Sequence, residues 1–190
     1  VAEAPGHRLG QIIGDALEDA IRPLLADFAG RHGLYLDFKG PRPARDALKC
    51  TWVDDLGNAH DLDFVLERGG SADELGLPAA FIETAWRRYT KHSRAKAQEI
   101  QGAVLPLLAR HAHLKPFAGA VVAGAWTPGA LAQLRSSGFA VLHVDYPEIV
   151  AVFTRFGIDV AADEGTPDAY LAEQVATHDA LGPAERAALA

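Results

Sequence analysis

Leu9, Ile12, Ile13, Leu17, Ala20, Ile21, Leu24, Leu25 and Phe28 recur at three- and four-residue spacing. That period predicts an amphipathic helix over Leu9–Ala29, closed by Gly30 or Gly33, with a bend at Pro23. Leu34–Phe38 alternates and reads as a short strand or an extended segment, and Gly40–Pro43 as a loop. Leu48–Val53 and Asp61–Leu66 are β-rich runs either side of Asp54–Asn58, which predicts a hairpin. Pro78–Ala85 contains a buried-type strand, and Thr90–His111 reads as a helix. Phe117–Ala125 and Phe139–Val144 are buried strands. Between them Thr127 caps a short helix that has Pro128 at its first position and ends at Gly138. Pro147–Phe156 is helical, ending at Gly157, and Thr166–Ala190 is an Ala-rich helical tail, loosely attached. The order α, β, β, β, α, β, α, β, α predicts an α/β fold: a mixed central sheet flanked by helices on both faces. A core domain over 1–160 would carry a helical tail over 161–190.

Composition narrows this picture. With 49% hydrophobic and 23% charged residues, the 190-residue chain has the apolar content for a packed core, which excludes wholesale disorder. The longest apolar run, Phe117–Trp126, falls short of the roughly 18–20 residues that span a bilayer. Val1–Arg8 carries a Glu and a Pro and does not read as a secretory signal. Cys50 is the only cysteine, so a disulfide framework and Cys-based zinc sites are excluded, and a cytoplasmic location is expected. The net charge of −7 argues against nucleic acid globally, but the charges are segregated. Arg87, Arg88, Lys91, Arg94 and Lys96 follow one another with no acid between them, whereas acids concentrate in Asp54–Glu74 and after Asp159.

The candidate chemistry starts with carboxylates. Asp61 and Asp63 would share one strand face, with Leu62, Phe64 and Leu66 on the other. Twenty residues on, Glu83 ends an otherwise apolar run. A carboxylate there is costly unless paired or bound to a cation. Asp63 and Glu83 on adjacent strand ends would suit magnesium, which prefers oxygen ligands. The competing reading is a pair of surface acids bridged to Arg87 or Arg88. On the helix that follows, Tyr89, Ser93, Ile100, Val104, Leu107 and Leu108 share a face. Lys96 falls on the edge of that stripe, while Lys91, Arg94 and Gln98 turn to solvent. Lys96 would orient a water or stabilise a phosphate, or else snorkel to Glu99 or Asp63. Glu18, on the shoulder of the first helix, would complete the metal site or pair with Arg22. The basic run would bind phosphates, with Trp86 and Tyr89 stacking on bases or sugars; the alternative is a solvated face with two core aromatics. No phosphate loop, dinucleotide fingerprint or nucleophile elbow occurs in the chain.

Asp63-Phe-Val-Leu followed by Phe81-Ile-Glu83-Thr-Ala85 resembles the PD-(D/E)XK nuclease superfamily, the restriction-endonuclease-like fold. The resemblance extends over Leu9–Phe156, and Phe81–Ile100 looks most like bacterial type II restriction endonucleases. It implies an αβββαβ core and magnesium-dependent hydrolysis of DNA phosphodiesters in restriction, defence or repair. Asp63, Glu83 and the carbonyl of Thr84 would hold the metal, with Glu18 assisting. Two positions depart from the family pattern: Leu62 stands in place of Pro, and Ala85 in place of the motif lysine. A displaced lysine is therefore required, and Lys96 is the candidate, with Lys91 or Arg87 behind it. Arg87, Arg88, Lys91, Arg94, Trp86 and Tyr89 would contact DNA, the chain acting as a homodimer or within a larger complex. The alternatives are a catalytically inactive relative that binds DNA or serves as a structural subunit, and an α/β small-molecule binder.

Overall fold

A mixed five-stranded sheet organises the structure, a computed structural model that describes residues 4–163 and 165–189. Helix α1 (Pro5–His32) leads into β1 (Leu34–Phe38), β2 (Cys50–Val53), β3 (Ala59–Leu62), β4 (Phe64–Arg68) and β5 (Leu77–Arg87). Helix α2 (Ser93–Arg110), β6 (Phe117–Gly124), α3 (Pro128–Ser136), β7 (Ala140–Asp145) and α4 (Tyr146–Thr154) follow, then α5 (Asp168–Asp179) and α6 (Pro183–Leu189). The sheet order is β1-β4-β5-β6-β7: the first three are antiparallel, and β5, β6 and β7 are parallel through α2 and α3. The expected mixed α/β architecture is therefore present.

Helix α1 runs unbroken through Pro23 and stops at Gly33, whose φ of 63° closes the helix in the left-handed region that glycine enters without steric cost. The apolar stripe of α1 (Leu17, Ile21) covers one sheet face, against Phe64, Leu66 and Ile82. On the other face α2 and α3 pack Ala97, Ile100, Val104, Leu107 and Leu134 against Val65, Phe81 and Val122. Thr127 caps α3 as expected, its hydroxyl accepting from the Ala130 N–H at 3.2 Å. The tail is held: Leu171 and Leu189 are buried with Leu9, Ile12, Ile13 and Phe153 against the N-terminal half of α1.

Asp61–Leu66 is not one strand. It bends at Asp63, so that β3 pairs with β2 in a separate two-stranded sheet while β4 joins the main one. Leu62 consequently packs with Cys50 on the α2 side, and Phe64 and Leu66 pack on the α1 side. The expected common face for these three residues is overturned, because a strand alternates faces only while it stays straight.

Candidate functional site

The bend separates the two aspartates. Asp61 is exposed, bonded to the Lys49 ammonium and the Thr51 hydroxyl at 2.7 Å each. Asp63 sits where β4 begins, beyond the last β4–β5 pair, Phe64 and Ile82. Glu83 is not at a strand end, as expected, but inside β5, at the level where the neighbouring strand has turned away. There Glu83 holds the backbone of Asp63, and Asp63 holds Thr84, the residue after Glu83. The Asp63 N–H donates to Glu83 Oε1 at 3.3 Å, and the Thr84 N–H and hydroxyl donate to Asp63 Oδ2 at 2.7 and 2.8 Å. The amide and carbonyl of one strand residue point to the same side, so the Thr84 carbonyl also faces the gap beside Asp63.

Glu83 is buried, and its carboxyl is pushed up to about 8, first by burial and then by the charge of Asp63; the Asp63 N–H and the Lys96 charge oppose the shift. Glu18 is pushed up to about 7 by burial and by the charges of Asp63 and Asp15, with Lys39 opposing. Arg22 does not neutralise Glu18; it pairs with Asp19 at 2.9 Å. Among the described residues no ion pair reaches Asp63, Glu83 or Glu18, so the expected alternatives of bridging to Arg87, Arg88 or Arg22 are absent. A cavity of about 300 Å³ brings Glu18, Asp63, Thr84 and Lys96 together with Gly10 and Gly14 of α1.

Among the described residues no three His, Cys, Asp or Glu side chains are grouped closely enough to hold a metal. Glu18 is thus coupled to Asp63 through the cavity and does not join Asp63 and Glu83 as a third clustered ligand. The oxygen donors that a hard cation would draw on here are the Asp63/Glu83 pair with the Thr84 carbonyl. Buried like charges that repel one another gain from a bound cation, which offsets both the burial and the repulsion.

Lys96 lies on the inner edge of α2 as expected, and Lys91 and Arg94 are exposed. The Lys96 ammonium pairs with Glu99 at 3.0 Å, while Arg87 Nη2 stands 4.0 Å from the same carboxylate. Lys96 therefore borders the acid cavity without bonding to Asp63 or Glu83. Ala85, on the Glu83 side of β5, is buried in the core beneath α2. The face of Trp86 expected to stack on a base is already stacked on Tyr146, with centroids 5.7 Å apart and planes 14° from parallel. Tyr89 is half-buried, directly after Arg88 within the basic segment.

Lys96 thus takes the Glu99 alternative that the sequence offered, and Glu99 couples it to Arg87. The sequence reading missed one contributor. Gly6, Gly10 and Gly14 recur every four residues along α1, and Gly10 and Gly14 face open space on the cavity side. That four-residue glycine spacing was the available signal. Among the described residues no helix is long and apolar enough to cross a membrane. Comparison with protein-family models, with curated proteins and with solved structures gave no match.

Proposed function

We propose that this chain is a divalent-metal-dependent endonuclease that hydrolyses DNA phosphodiester bonds, of the PD-(D/E)XK type that Asp63, Glu83 and the strand between them resemble. One observation carries the reading. Two acids are interlocked across a break in the sheet with a third coupled to them; among the described residues none has an ion-pair partner, and Asp63 and Glu18 open on a cavity beside a basic segment while Glu83 is buried behind it. Asp63, Glu83 and the Thr84 carbonyl would hold a magnesium-like ion. Such an ion, when bound, lowers the pKa of a water and neutralises charge on the attacked phosphate.

The remaining work falls to the chain itself. Asp63 Oδ2 is fixed by Thr84 and Glu83 Oε1 by the Asp63 N–H, so both carboxylates are oriented before substrate arrives. Lys96 places a positive charge at the cavity wall, available to the phosphate when Glu99 releases it. Arg87, Arg88, Lys91 and Arg94 hold flanking phosphates without reading bases. Trp86, closed off on one face by Tyr146, supports the Arg87–Arg88 segment.

A second reading is favoured by Ala85 and by the Lys96–Glu99 pair: an inactive nuclease-fold subunit that binds DNA or serves a structural role. Incubating supercoiled plasmid with the protein in Mg²⁺ or Mn²⁺, against EDTA and against Asp63→Ala, separates the two. Metal-dependent nicking lost in the variant supports the nuclease. Binding without nicking under every metal supports the inactive subunit.

A further inference from the structure

A second cavity, of about 400 Å³, adjoins the acid one, and Gly10, Trp86 and Arg87 line both. Arg87, Arg88 and His92 form one wall, and Gly6, His7 and Gly10 of the first turns of α1 form the other. None of the described residues lining it is acidic. Among the described residues Arg88 makes no ion pair, and Arg87 comes no nearer a carboxylate than the 4.0 Å to Glu99. Arg87 Nε and Arg88 Nη2 are buried without a hydrogen-bond partner. Buried guanidinium donors ordinarily find an acceptor, so two orphaned donors on successive residues mark an unmet need for one.

The opposite wall is kept open by glycine. A Cβ at Gly10 would meet nothing within 4 Å, so packing does not require glycine there. Glycine in a helix interior weakens the helix relative to alanine, and the return at this position is space beside the two arginines. Planar guanidinium forks recognise phosphate oxygens geometrically as well as by charge. One face of Trp86 is already stacked on Tyr146, which leaves it less surface for a base.

We propose that this cavity is a phosphate subsite, which holds a phosphodiester of the substrate strand next to the one presented to Asp63 and Glu83. The identity of the strand rests on the nuclease reading; the affinity for phosphate does not. The subsite would make binding independent of base sequence and fix the register of the strand over the acids.

The test is carried out without metal, so that it reads binding alone. Fluorescein-labelled hexathymidylate is titrated in EDTA at several salt concentrations with the wild type, Arg88→Gln, Gly10→Leu and Asp63→Ala, and inorganic phosphate is titrated in parallel by calorimetry. Arg88→Gln is expected to weaken oligonucleotide binding at least 10-fold, roughly one strong phosphate contact, and to lower the log–log salt slope by about 0.7. Gly10→Leu, which fills the cavity, is expected to weaken binding similarly while keeping the wild-type circular dichroism spectrum. Asp63→Ala is expected to bind at least as tightly as wild type. Oligonucleotide affinity unchanged in both Arg88→Gln and Gly10→Leu overturns the subsite. So does an effect confined to free phosphate, which would make the cavity a small-anion site. Absence of metal-dependent plasmid nicking, with these binding losses intact, rejects the nuclease and leaves the subsite standing.

Discussion

Asp63 donates its own backbone N–H to the carboxylate of Glu83, 20 residues later in the chain, at 3.3 Å. The Thr84 amide returns a bond to Asp63 at 2.7 Å. This reciprocal clasp forms because β3 leaves the sheet at Asp63 and exposes the polar edge of β5 at Glu83 and Thr84. Its consequences can be measured.

Asp63→Ala and Glu83→Gln should each lower metal-dependent plasmid cleavage by at least about 100-fold, the usual scale for losing one preorganised electrostatic group. Both should keep the wild-type circular dichroism spectrum, since neither removes a large core side chain. Full activity in either variant would remove these acids from the chemistry.

The acids also predict a pH dependence of stability. Glu83 and Glu18 have folded-state pKa values of about 8 and about 7, above the ordinary 4.5. Between those limits the native state binds more protons than the unfolded state, so the stability these two groups contribute is full below about pH 4.5 and is lost as pH rises towards 8. Glu83→Gln removes the penalty and should raise Tm at pH 8 by several degrees while changing it little at pH 5. Saturating Mg²⁺ should raise the wild-type Tm at pH 8, and more weakly in Glu83→Gln. Thermal melts across pH, with and without Mg²⁺, decide both points.

Lys96 and Glu99 should behave differently from each other. If the ammonium serves the attacked phosphate, Lys96→Ala lowers the cleavage rate by about 100-fold with DNA affinity nearly intact. Glu99→Gln, which frees Lys96 and Arg87, leaves the rate at or above wild type. Equal rates for Lys96→Ala and wild type would return Lys96 to the status of a surface ion-pair partner.

A buried ionic knot should govern stability away from the site. Arg42 binds Glu67 through two bonds of 2.6 and 2.9 Å, lies 2.9 Å from Asp37, and donates to the carbonyls of Ser71 and Glu74. Arg42→Met leaves buried Glu67 without its cation and Asp37 with Arg45 alone, a loss of about 3–5 kcal/mol. Urea denaturation of the variant should show a midpoint well below wild type, and a change under about 1 kcal/mol would contradict the assignment.

The helices and the parallel half of the fold were legible in the sequence because their signals are local. The period of Leu9 to Phe28, the alternation of Leu34–Phe38, and the Thr127–Pro128 cap each depend on residues within a few positions of one another. Asp63 and Glu83 were legible as candidates too, because a carboxylate in an apolar run is chemically conspicuous. Other features were set by tertiary structure alone. Alternation assigned Asp61 to the face of Asp63, but Cys50 and Leu62 gain burial by folding towards α2, and the strand bends between the two acids. Whether Lys96 answers to Glu99 or to the acid cavity is a contest between charges several residues or whole elements apart, which helical geometry alone does not rank. The spacing of Gly6, Gly10 and Gly14 stood in the sequence from the start. It acquired meaning only when the end of β5 and the bend before β4 brought Arg87 and Asp63 opposite those gaps, since a missing side chain becomes a cavity only when something else forms the far wall.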